Sequence, residues 1–158
     1  MTREQYLNPR RAGTPKHPNR IIWLLKAIDL LEWYFDEIDR PLPEVSISLP
    51  WPEGSDRETL AGQCFSKALE KDGVITKVFY TKIFIAPDVV EDLQVLETLV
   101  HELAHAAIGC HVNHDVEPFP TVFKQLGLEG PLDKSRASLP LRLRLLNVSN
   151  TLGPYPEF

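Results

Sequence analysis

Cysteine is scarce in this chain: Cys64 and Cys110 are the two present in 158 residues. Two thiols cannot build a disulfide framework or a four-cysteine zinc site. Such sparse usage points to two separate packed thiols in a reducing, cytoplasmic setting. Long hydrophobic runs are missing as well. No stretch approaches the roughly 18 apolar residues of a membrane span, and the clusters at 21–25 and 83–86 are bounded by charge or proline. The N-terminal MTREQYLNPRRAGTPKHPNR is basic but has no apolar stretch ahead of a cleavage site, so it does not read as a secretory signal. Positive charge is in deficit, with 17 Lys+Arg against 22 Asp+Glu and a net charge of −5. Strong non-specific nucleic-acid binding rests on clustered cations and is not supported by this balance. The local pairs Arg10-Arg11 and Arg142/Arg144 read as solvated faces. Internal repeats and low-complexity linkers are absent.

What is present is ordinary for one globular domain: 43% apolar and 25% charged residues. Residues 1–19 carry turn formers without periodicity and read as a mobile tail. Ile21, Leu24, Leu25, Ile28, Leu31, Phe35 and Ile38 then recur at steps of three and four, the stripe of an amphipathic helix. Asn19 can cap its start, and Pro41 and Pro43 end it. Residues 45–49 (VSISL) alternate as a half-buried strand does. A turn follows at 50–55, then a possible short strand at 63–66 and a tight turn at Lys71-Asp72-Gly73. Residues 78–86 (VFYTKIFIA) are β-branched and aromatic and read as a strand. On it Tyr80 and Lys82 face one side, and Thr81, Ile83 and Ile85 the other. Helices are expected over 93–109, from an Asp92 cap to a Gly109 stop, over 117–126, closed by Gly127, and over 139–150. One helix, several strands, then helices make an α+β domain over 20–158. Trp23, Trp33, Tyr34 and Phe35 are expected in its core rather than as a base-stacking platform.

The chemistry sits at His101-Glu102-Leu103-Ala104-His105, an H-E-x-x-H sequence. On a helix the two histidines lie one turn apart on one face, so both imidazoles reach one Zn²⁺. Glu102 lies about 100° round the helix, near the metal without ligating it. There it can take a proton from a zinc-polarised water and return it to a leaving amine. Leu96, Leu99, Leu103, Ala106 and Ala107 fall on the far side and would bury against the sheet. A catalytic zinc takes three protein ligands and keeps a position open. Of five histidines, four (101, 105, 111, 114) lie within fourteen residues. The third ligand is therefore His111 or His114, with Asp115, Glu117 and Glu129 as carboxylate alternatives. The extended motif H-E-x-x-H-x-x-G-x-x-H would select His111, but Ile108 stands where its glycine belongs. Gly109 suits a helix C-terminus, after which residues 110–113 can turn and bring His114 back over the metal. Glu97, one turn before His101, is either a partner for that histidine's second ring nitrogen or a solvated carboxylate.

The run 96–106 (LETLVHELAHA) resembles the SprT-like zinc metallopeptidases, in particular their short phage and bacterial members. Trp51-Pro52, the strand IFIAP at 83–87, FPTVFKQLGLEG at 119–130 and LGPYP at 152–156 carry the resemblance across residues 20–156. It implies a single zincin-like domain, with a small, mostly antiparallel sheet packed against an N-terminal helix and the H-E-x-x-H helix. It also implies zinc on His101, His105 and His114, with Glu102 as general base. The family's third ligand is a histidine shortly before an aromatic, and here His114 precedes Phe119 by one residue more than the pattern has. The C-terminal zinc ribbon of many relatives has no cysteines to form it here. The expected activity is hydrolysis of extended or unfolded protein segments, with a protein or peptide as partner and no membrane. The alternative is a zinc-stabilised binding module of weak or conditional peptidase activity, acting on DNA-bound or phage-assembly proteins.

Overall fold

Asn19 starts the first helix as expected: its side-chain oxygen accepts the N–H of Ile22 at 3.0 Å. The computed structural model describes residues 19–157, so the expected tail and Arg10-Arg11 lie outside the described residues. Helix α1 spans Arg20–Glu37. Most of the expected stripe holds: Leu24, Leu31 and Phe35 are buried, and Leu25 is exposed. Trp23 and Ala27 are buried with them, and the Trp23 indole donates its N–H to the Gly153 carbonyl at 3.0 Å. Trp33, placed in the core by sequence, is half exposed and stacks on Tyr34.

Three strands form the main sheet in the order β1-β3-β2. Strand β1 is Ser46–Ser48, β2 is Gly62–Lys71 and β3 is Val74–Ile85. Strands β2 and β3 pair antiparallel, and β1 adds three residues parallel to β3. Both hairpin strands run longer than the sequence suggests. Register shifts between Lys67 and Ala68 and between Leu69 and Glu70 break the two-residue alternation that marks a strand. The turn between them holds Asp72 at φ 52° and Gly73 at φ 79°, the left-handed pair a two-residue hairpin turn requires.

Helix α2, Asp92–Ile108, carries the H-E-x-x-H motif. Glu91 occupies the capping position, and the Asp92 cap is not formed. The Asp92 carboxylate instead accepts the Ser149 hydroxyl and the Tyr155 N–H, both at 2.9 Å. It thereby ties the helix start to the C-terminal segment. Leu96, Leu99 and Leu103 are fully buried and join Trp23, Phe84, Leu145 and Leu152 in one core. The edge of the sheet reaches the helix on another side, where Gly62 meets Thr98 and Glu102.

Helix α3 spans Phe119–Leu126, two residues shorter at its start than expected. Gly127, left-handed at φ 89°, turns the chain into a two-stranded ribbon of β4, Leu128–Glu129, and β5, Arg136–Ala137. Helix α4, Leu139–Leu152, completes the α+β domain. Its C-terminal segment clamps α1: Arg20 donates to the Pro156 carbonyl at 2.8 Å, and Tyr155 packs edge-on against Trp23. Among the described residues no helix is long and apolar enough to cross a membrane.

The cysteines depart from expectation. Cys64 on β2 and Cys110 just past α2 are joined as a disulfide rather than packed as two separate thiols. The pairing spans 46 residues, a contact no local pattern records.

Candidate metal centre

Helical periodicity places His101 and His105 one turn apart on α2, and their rings lie 5.1 Å apart. The chain leaves the helix at Gly109, whose φ of 124° is open to glycine at little cost. Two turns follow, closed by Val112 N–H to the Gly109 carbonyl at 3.0 Å and Val116 N–H to the Asn113 carbonyl at 3.2 Å. They return His114 to the helix. Its Nε2 stands 2.8 Å from that of His105 and 3.3 Å from that of His101. One nitrogen from each ring lies within 4.8 Å of the others, an arrangement that could hold a metal ion.

The other proposed ligands lie elsewhere. His111 is exposed. Its ring lies over Gly109, where an added Cβ would stand 2.7 Å from Cε1. Asp115 is exposed too. Glu117 accepts the Thr121 hydroxyl at 2.8 Å, and Glu129 faces Arg136 at 3.8 Å.

Burial sets the protonation of His101 and His105. It holds His101 down to about 4, helped by its neighbour His114, and His105 down to about 3, helped by both other rings. His101 and His105 are therefore neutral at pH 7, the state in which imidazole ligates metals. Glu102 points the other way. It is 6% exposed, and burial raises its carboxyl to about 8 against the opposing pull of the Cys64 backbone N–H. Its Oε1 lies 3.9 Å from the His101 Nε2, beside the triad and outside it.

Two contacts at the site were not foreseen, Ser135 and Gly62, and a third, Phe119, had entered only as the aromatic of the resemblance. Phe119, fully buried, places its ring 5.8, 4.6 and 5.0 Å from those of His101, His105 and His114, an apolar wall behind all three. Ser135 Oγ stands 2.7 Å from the His101 Nδ1 and takes the role considered for Glu97. Gly62 lets β2 approach the helix: a Cβ there would stand 2.7 Å from the Thr98 methyl and 3.2 Å from the Glu102 Cγ. A cleft of about 330 Å³ opens over His101 and Glu102, with Leu60 and Gly62 on one wall, Asp133, Lys134 and Ser135 on another, and Glu97 at its rim. Strand β2, not β3, is the sheet edge beside this cleft. Arg144, one of the basic pair, lies over the Tyr34 ring at 4.4 Å and meets Glu37 at 3.5 Å.

In comparisons with known proteins, no family model, no curated protein and no solved structure matches this chain.

Proposed function

We propose that the protein is a zinc-dependent metallopeptidase of the SprT-like type, with His101, His105 and His114 as ligands and Glu102 as general base. One observation carries the reading: three imidazole nitrogens converge beside a buried carboxylate that stands 3.9 Å from the nearest of them. The fit to zinc is chemical and geometric. Ligands at about 2.0–2.1 Å in a tetrahedron lie roughly 3.3 Å apart; His101 and His114 match this at 3.3 Å, while His105 and His114, at 2.8 Å, would have to part by about half an ångström to hold the ion. His101 and His105, neutral at pH 7, give up no proton on binding. Three ligands also leave a fourth position for water, as catalytic zinc sites do.

Zn²⁺ in this place supplies Lewis acidity, polarising water and the scissile carbonyl. The chain's own residues do the rest. Glu102, which burial alone would keep protonated and the cation would return to its ionised form, takes the proton from the attacking water and passes it to the departing amine. The Cys64 N–H holds the carboxylate in place, and the Phe119 ring keeps water from the rear of the triad. An extended substrate segment suits the cleft because β2 is the edge strand beside it and can offer main-chain groups other than the Cys64 N–H, which Glu102 takes.

The test is cleavage of a reduced, unfolded protein by the zinc-loaded enzyme, its loss with a chelator and its recovery with zinc. Glu102→Gln keeps the shape but cannot accept a proton. It should retain one zinc and lose about 10²–10⁴-fold in rate. Cleavage by Glu102→Gln near the parent rate, or no zinc-dependent cleavage by the parent, refutes the reading.

A further inference from the structure

We propose that Ser135 is a positioning residue of the metal centre: its hydroxyl accepts the Nδ1–H of His101 and thereby presents Nε2 as the ligand atom. The proposal rests on the triad holding a metal, and not on the metal's use in peptide hydrolysis.

An imidazole has two nitrogens, and a neutral ring carries one proton. To ligate, Nε2 must have its lone pair free, so the proton belongs on Nδ1. That nitrogen needs an acceptor, because a partly buried N–H without one costs free energy. The acceptor at 2.7 Å is the Ser135 oxygen, while Nε2 faces the His114 ring at 3.3 Å. Both nitrogens of His101 thus have assigned partners, and the ring orientation follows from them. Partners of this kind fix the tautomer and raise the basicity of the ligand.

The backbone that delivers Ser135 is itself well anchored. Ser135 immediately precedes β5, whose Arg136 and Ala137 pair with Glu129 and Leu128 of β4. Leu128 and Ala137 are buried in the core. The Ser138 N–H donates to the Gly127 carbonyl at 2.8 Å and closes the base of the ribbon. The connecting loop is tightened by the Lys134 N–H to the Pro131 carbonyl at 3.0 Å. A hydroxyl on such a ribbon keeps its place as the metal comes and goes. It also sits 34 residues from His101 in the chain, on an element whose other role is to wall the cleft.

The experiment reads zinc affinity, by competition with a chromophoric chelator, on metal-stripped parent, Ser135→Ala, Ser135→Thr and Glu97→Gln, with thermal unfolding of each. Ser135→Ala should bind zinc about 10–100-fold more weakly. Ser135→Thr, which keeps the hydroxyl, should bind within a few-fold of the parent. Glu97→Gln, at the cleft rim but off the Nδ1, should match the parent. Equal affinity of Ser135→Ala and parent overturns the proposal. So does equal weakening in the Ala and Thr variants, which marks a steric effect, and so does failure of the parent to bind zinc. No substrate enters the measurement. A parent that binds zinc tightly but cleaves nothing would refute the peptidase reading while leaving this one standing.

Discussion

Removing the metal should leave a protein that is less stable at pH 8 than at pH 6.5, and Glu102→Gln should abolish that difference. The Glu102 carboxyl rises from an ordinary 4.5 to about 8 on folding, because burial disfavours its charged form. A folded-state value above the unfolded one means that the native protein binds the proton more tightly. The stability this confers is complete below pH 4.5 and is lost progressively up to pH 8. His101 and His105 have the opposite sign. Their folded values, about 4 and about 3, lie below the ordinary 6.5. Each therefore costs stability as pH falls below about 7.5, and their effect fades out within about one unit above 6.5. Between pH 4.5 and 6.5 the two histidines outweigh the one carboxylate, so stability rises with pH. Between 6.5 and 8 the Glu102 slope remains. One and a half pH units at about 1.4 kcal/mol per unit give a loss of about 2 kcal/mol from Glu102 alone, of which the end of the histidine titration returns somewhat under ~1 kcal/mol.

The assay is urea unfolding of chelator-treated protein at pH 5.5, 6.5, 7.25 and 8, for the parent and for Glu102→Gln. The parent should peak near pH 6.5. The variant should show no such fall toward pH 8, and the difference between the two should widen by about 2 kcal/mol from 6.5 to 8. Taking the difference cancels every group the two proteins share. Zinc should erase the effect, since a cation near Glu102 favours the carboxylate. Parallel curves for the two metal-free proteins would refute the argument, because they would mean that the Glu102 carboxyl ionises as easily folded as unfolded.

Other outcomes follow from the same geometry. His114→Ala should lose stoichiometric zinc by elemental analysis while His111→Ala keeps it; the reverse result would move the third ligand to His111. Gly62→Ala forces a methyl to 2.7 Å from Thr98 and 3.2 Å from Glu102, so denaturant titration should show a loss of about 1–3 kcal/mol. Its rate of hydrolysis should drop further than its zinc affinity, because the disturbed neighbour is the base and not a ligand. Opening the Cys64–Cys110 link, which spans 46 residues, frees unfolded-chain entropy worth about 4 kcal/mol. A Cys64→Ala/Cys110→Ala protein as stable as the oxidised parent would contradict that value.

Local periodicity carried much of the fold. The three- and four-residue spacing that marks α1 and α2 is a property of neighbours on one helix, so it survives without tertiary context. Even there the pattern was wider than the buried face, since Leu25 of the α1 stripe is left in solvent. The outer half of the β2–β3 hairpin was hidden for a physical reason. Its two register shifts put like residues in sequence onto unlike faces, and alternation ceases to report a strand. Asp92 misled in a similar way. Capping preference favours an aspartate at a helix start, but Ser149 and Tyr155 offer its carboxylate two donors from the far end of the chain.

The site divides along the same line. His101, Glu102 and His105 were legible because one helical turn fixes their relation. His114 was legible because a glycine at position 109 implies where the helix stops and the chain can return. Ser135 and the Cys64 N–H had no such signal, and Phe119 entered only as the aromatic of the family resemblance. Each reaches the triad through an element whose course is set elsewhere: Ser135 by the β4–β5 ribbon, Phe119 by the start of α3, Cys64 by the pairing of β2 with β3. The residues that would bind the metal are therefore local to one stretch of sequence, and those that tune it converge from three. A five-residue motif can name the first set. On the proposed reading, the second set would tune the Glu102 carboxyl, the His101 tautomer and the apolar wall behind the triad. Exchanging residues in the second set should therefore shift affinity and pH dependence while leaving the ligand set intact.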